Sequence, residues 1–125
     1  MPDKPVTVVQ PHDEIVWVQV KVPALNEEQT AAMQTDLMAA AEKRPGVPVA
    51  LDLAEVTFFP SLSLGAVVTI LQHMKKQGRK FVLLNVHQNV RETLAVTRLN
   101  RLFEIHDSLD HALVQIRSSK ESTGA

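Results

Sequence analysis

Hydrophobic positions along the chain change their period several times, and each change marks an element. Val6 to Gln10 is a short β-branched run, closed by Pro11-His12-Asp13. Glu14 to Val22 alternates, with Ile15, Trp17 and Gln19 on one side and Val16, Val18 and Val20 on the other, which is the period of a strand. The short turn between the two runs predicts an antiparallel pair. Pro23 closes the second run. Asn26 then predicts a helix cap with Gln29 as capping-box partner, and Met33, Leu37, Met38 and Ala41 predict the inner side of a helix reaching Arg44. Pro45-Gly46-Val47-Pro48 is its stop, with Gly46 suited to the left-handed residue after a helix end.

Val49 to Leu53 predicts a buried strand, and Val56-Thr57-Phe58-Phe59 continues towards the rim of the sheet before Pro60 interrupts. A second helix is predicted over Leu62 to Gln77, with Leu64, Val67, Val68, Leu71, Met74 and the stem of Lys75 along its inner stripe and Gly78 at its end. Lys75, Lys76, Arg79 and Lys80 gather near the negative end of its dipole. Phe81 to Val86 reads as a parallel strand covered on both faces. Asn89 predicts the cap of a third helix through Val90 and Leu94, Ile105 a short last strand, and Asp107 the cap of a fourth helix. In that helix Leu109, Ala112, Leu113 and Ile116 fall at i, i+3, i+4 and i+7. Alternating strands and helices imply parallel neighbours joined by right-handed crossovers. The expected fold class is a single α/β domain over residues 6–116. It has a mixed central sheet of four or five strands with about four helices packed on it. Flexible termini are expected at 1–5 and 117–125.

Composition narrows the chemistry. The net charge of −1 leaves no basic field for nucleic acid or an anionic membrane. Cysteine is absent, which removes disulfides, thiolate metal sites and a cysteine nucleophile. Four glycines, none in the required spacing, make no phosphate-cradling loop. No apolar run approaches a membrane span, and the N-terminal residues lack the pattern of an export signal, so a cytoplasmic location and no membrane insertion are expected. His106 and His111 lie five apart, a spacing that puts two imidazoles on different faces of a helix, so no metal site and no cofactor is expected. His12, His73 and His87 read as isolated and solvated. Ser61, His87 and Asp52 can be set out as a hydrolase triad, yet Ser61 lacks the glycine-flanked elbow of a nucleophile, and no catalytic residue is assigned. Arg91, Arg98 and Arg101, mixed with Glu92 and Glu104, read as a solvated helix face.

One ordered series is more specific. It runs Val49-Ala50-Leu51-Asp52-Leu53, then Val56 to Gly65, then Gly78 to Asn85, then Val90, Leu94, Thr97, Leu99 and Leu102-Phe103, and finally Asp107-Ser108-Leu109 with Ala112-Leu113. Over residues 6 to 116 the chain resembles a STAS domain, the module of anti-sigma factor antagonists and of sulfate transporter tails. The family signature reads close to Asp-Ser-Ser-Gly-Leu-Gly. Here Pro60, Ser61, Leu62, Ser63, Leu64 and Gly65 align with it. The resemblance implies that Ser61 is the phospho-acceptor, while Pro60 replaces the aspartate, Leu62 the second serine and Ser63 the first glycine. A second pattern, Gly-Glu-Leu-Asp, meets Pro23, Ala24, Leu25 and Asn26, of which Leu25 matches and Asn26 keeps the capping ability. A family glycine after the third helix appears as Arg98.

The resemblance implies a non-enzymatic partner-switching regulator. Its partners would be an anti-sigma factor that is also a serine kinase of the histidine-kinase-like ATPase class, and a serine phosphatase. The docking surface would include Pro60, Ser61, Leu62, Ser63 and, on a neighbouring loop, Asn26. A helix N-cap is the structural alternative for Ser61, and a core or staple contact is the alternative for Leu62. Ser63 reads as a first-turn residue or a substitute phosphosite. The changes at Pro60 and Leu62 keep open an unphosphorylated scaffold or subunit of a stress-sensing or lipid-transport complex. A small-ligand sensor is supported by no residue. The exposed edge strand leaves pairing into a homodimer open.

Overall fold

A computed structural model describes residues 5–123, with side-chain surroundings as far as residue 118. β1 (Thr7–Gln10) and β2 (Val16–Val20) form an antiparallel pair in which Val9 faces Val18. Helix and strand then alternate: α1 (Glu27–Glu42), β3 (Val49–Asp52), α2 (Ser61–Lys76), β4 (Phe81–Leu84), α3 (Gln88–Val96), a 3-10 turn at Leu99–Arg101, β5 (Glu104–His106) and α4 (Leu109–Thr123). The five strands stand side by side in sequence order, and β2 to β5 are parallel. This is the mixed α/β sheet with four helices expected from the pattern of the chain. Of the expected flexible termini, residues 1–4 and 124–125 lie outside the described residues, whereas 117–123, expected as a tail, continue α4 to Thr123.

Strand order decides where the helices go. Parallel crossovers are right-handed, so three successive crossovers stepping the same way along a sheet lie on one face. α1, α2 and α3 accordingly share a layer with Val16, Val18, Val49, Leu51, Phe81 and Leu83, built around Met33, Leu37, Val67, Ile70, Met74 and Leu94. α4 follows the last strand and folds back over the other face, where Ala112, Leu113 and Ile116 meet Ile15, Ala50, Val82 and Leu84. β3 and β4 are thus covered on both sides, which is why their side chains are buried without alternation.

Several local expectations are corrected. Pro60, not Ser61, is the cap residue of α2, and it has no capping side chain. Asn89, expected as the cap of α3, lies inside the helix, and His87, exposed as expected, caps it instead, its Nδ1 accepting from Asn89 N at 3.2 Å. Ser108 Oγ accepts from His111 N at 3.1 Å at the start of α4, while Asp107 pairs with Arg91 instead. On α2 the buried stripe includes Ile70, with Val68 half-buried and Lys75 exposed. Arg98 takes the left-handed conformation itself, with φ of 63°. Arg79 serves α1 rather than α2. Its buried guanidinium donates to Ala41 O at 2.9 Å, Arg44 O at 2.9 Å and Val47 O at 2.7 Å, satisfying carbonyls that a helix end leaves open.

Candidate partner-docking site

Parallel strands deliver the starts of the following helices to one end of the sheet, the end at which α/β folds place their sites. Asn26 before α1 and Pro60 before α2 therefore arrive together. Two loops are laced there: Thr57 N and Phe58 N both donate to Pro23 O, at 2.9 and 3.2 Å, and Ala24 pairs with Phe58 in an isolated parallel bridge. Beneath them Thr30 Oγ1 on α1 and Ser63 Oγ on α2 lie 2.8 Å apart in a fully buried contact. Thr30 Oγ1 also donates to Asn26 O at 2.8 Å, so its single proton goes to that carbonyl and the Ser63 hydroxyl donates to Thr30.

α1 is closed by the expected capping box. Gln29 N donates to Asn26 Oδ1 at 2.8 Å, and Asn26 N donates to Gln29 Oε1 at 3.0 Å. α2 lacks such a closure. Its first backbone bond runs from Leu64 N to Pro60 O, so the N–H groups of Ser61, Leu62 and Ser63 precede the helical ladder. Ser61 is exposed as the first helical residue. Leu62 is 55% exposed, so the core-contact alternative does not hold for it. Ser63, expected on the docking surface, is fully buried and faces Thr30.

Between the two helices runs an open groove of about 510 Å³, lined among others by Glu27, Ala31, Ser61, Leu62, Gly65 and Thr69. Among the described lining residues only Glu27 is charged. Phe58, 60% exposed at the rim, was not singled out by the sequence: Val56 and Phe59 around it are buried, and the run carries no signal for which of three apolar neighbours turns outward.

The residues that could be written as a triad do not assemble. Asp52, buried at the end of β3, accepts from Trp17 Nε1 at 3.0 Å, Ala54 N at 3.0 Å and Asn85 Nδ2 at 3.1 Å, and His87 is engaged at its own helix end. His106 and His111 are on a strand and a helix rather than on one helix, and their rings do meet, with centroids 5.1 Å apart. No group of three or more potential metal ligands occurs among the described residues, and no helix among them is long and apolar enough to cross a membrane.

A family model for the STAS domain matches residues 7–112, and the chain belongs to that family. A Thermotoga maritima protein described as a candidate anti-sigma factor antagonist is 33% identical over 67 residues, a match spanning 54% of this chain and 59% of that protein. The crystal structure of a Thermotoga maritima protein of the same description superposes with a TM-score of 0.76 at 25% identity, covering 89% of this chain and 94% of that one. A Planctomyces limnophilus protein described as an anti-sigma-factor antagonist with a STAS domain gives a TM-score of 0.80 at 20% identity, over 89% and 97% of the chains, a likeness of fold.

Proposed function

We propose that this chain is a non-enzymatic partner-switching regulator of the anti-sigma factor antagonist kind. The start of α2, the groove beside it and the Phe58 rim dock an anti-sigma factor, and phosphorylation of Ser61 releases it. The observation that carries this reading is an exposed hydroxyl at the uncapped first position of α2, flanked by two exposed apolar side chains, Leu62 and Phe58. Apolar residues concentrated at one rim favour a protein partner. A phosphate on Ser61 would carry a charge of about −1.5 to −2. The helix start tolerates it, gaining about 0.3–1 kcal/mol from the dipole, so the domain stays folded. A docked partner has to desolvate that charge, and Glu27 in the groove adds to the negative potential. The kinase in this reading is the anti-sigma factor itself, of the histidine-kinase-like ATPase class, and a serine phosphatase resets the switch.

The test uses the full chain, a purified anti-sigma factor kinase of the proposed class from the same source, and ATP. Phosphate should map to Ser61 by mass spectrometry, and Ser61→Asp should weaken the complex about a hundredfold, equivalent to about 2.7 kcal/mol. No phosphate at Ser61 together with unchanged binding of Ser61→Asp overturns the switch. Pro60 in place of the family aspartate favours a second reading, a constitutive scaffold in a stress-sensing or lipid-transport complex. It is selected if Leu62→Asp abolishes binding while Ser61→Ala and Ser61→Asp leave it unchanged.

A further inference from the structure

On the sheet face opposite Ser61, four ionisable side chains form a chain from Lys80, just before β4, across β5 to α4. Lys80 Nζ donates to Glu104 Oε1 at 2.9 Å. Glu104 Oε2 lies 2.7 Å from His106 Nε2, and His106 Nδ1 lies 3.1 Å from His111 Nδ1. His106 is buried and His111 is exposed. Next to the pair along the chain are Asp110, in the first turn of α4, whose charge acts on Arg117, and the Arg91–Asp107 ion pair at the turn before the helix. Glu104 is an acceptor here: burial works to raise its pKa, but the hydrogen bonds and charges of His106 and Lys80 outweigh it and hold the carboxyl below its ordinary value.

These contacts dictate where the protons sit. A carboxylate only accepts, so His106 carries its hydrogen on Nε2. A neutral imidazole has one N–H, so His106 Nδ1 is the acceptor and His111 Nδ1 the donor. One added proton fits. His106 becomes an imidazolium against Glu104, and His111 shifts its hydrogen to Nε2 and offers Nδ1 as the acceptor. A second proton does not fit, because both Nδ1 atoms then carry hydrogens and face each other as cations.

We propose that His106 and His111 form a pH-sensitive clasp that holds the first turn of α4 on β5 while the pair carries at most one extra proton and releases it when the second binds. The middle of α4 is tied separately, by the ion pair of Arg117 with Glu14. Opening the first turn lifts Ala112 and Leu113 from Val82 and Leu84, so acidification uncovers an apolar strip on the sheet. The docking end around Ser61 lies on the other face and is left intact.

The test is made on the full chain. Nitrogen-resolved NMR at pH 8 should show His106 as the Nε2–H form and His111 as the Nδ1–H form. Amide exchange at Ala112 to Ile116, corrected for its intrinsic pH dependence, should quicken by up to about tenfold per pH unit as the pH falls and level off once the turn is open, while Val67 to Leu71 in α2 stay constant. His111→Ala, at an exposed position, should flatten that dependence. An Nδ1–H form of His106 at pH 8, a pH-independent α4, an equal slope in His111→Ala, or a parallel rise in α2 each overturn the clasp. The native tautomer measurement decides even without the variant.

Discussion

Thr30 and Ser63 join α1 to α2 through their side-chain oxygens, 2.8 Å apart and out of reach of solvent. This contact sets the spacing of the two helices under the candidate docking groove. Ser63→Ala leaves Thr30 with its bond to Asn26 O but removes the buried donor. It should cost about 1–3 kcal/mol in urea unfolding, and the phosphorylation proposed at Ser61 should be unaffected. Thr30→Val combined with Ser63→Ala should cost less than the sum of the single changes, because no unmatched hydroxyl remains between the helices.

Gly65 lies in the interior of α2 with ordinary helical backbone, and a Cβ there would meet nothing within 4 Å. The fold does not require glycine at this position. Gly65→Ala should raise stability by about 0.5–1 kcal/mol, read as a higher Tm. Gly65→Leu should fold equally well and fill the groove. If that groove receives the partner, the complex should weaken by at least about tenfold, equivalent to 1.4 kcal/mol, in a titration with the purified kinase.

Arg79 closes the C-terminal end of α1 from thirty-odd residues away in sequence, with its guanidinium on three carbonyls. Arg79→Met should destabilise by about 1–3 kcal/mol, since Val47 O loses its donor while Ala41 O and Arg44 O keep one backbone N–H each. Arg79→Lys should recover little of this, because one ammonium cannot reproduce the planar fork. Thermal unfolding of the three proteins checks the order.

Arg98 holds a φ of 63° where a side chain is strained. Arg98→Gly should stabilise by about 0.5–1 kcal/mol, the strain relieved being partly offset by the freer unfolded chain. Calorimetry at neutral pH tests the sign.

Glu104 is held below its ordinary pKa: burial opposes this, and His106 and Lys80 prevail. A depressed carboxyl adds stability above its unfolded value, about 4.3, and that stability is lost as the pH falls through the lower folded value. Glu104→Gln should therefore lower stability at pH 6 and bring the variant and native curves together at the acid end of an unfolding series.

Local sequence signals carried much of this architecture. The Asn26–Gln29 capping box, the i, i+3, i+4, i+7 stripe of α4 and the alternation in β2 each depend on neighbours a few residues away, and each stands in the structure where the pattern puts it. The order of strands and helices, with the handedness of crossovers, also brings Asn26 and Ser61 to one end of the sheet. Cap identity was less legible: Ser61, Asn89 and Asp107 all have capping chemistry, yet Pro60, His87 and Ser108 occupy those places, because one or two residues of register in a backbone turn outweigh side-chain preference. The contacts of Arg79, the Thr30–Ser63 bond and the His106–His111 pair were beyond local reading. Each joins groups from different elements, and long-range distances are set only when sheet and helices pack together. A five-residue spacing that separates two rings on a helix brings them together once one of them is on a strand.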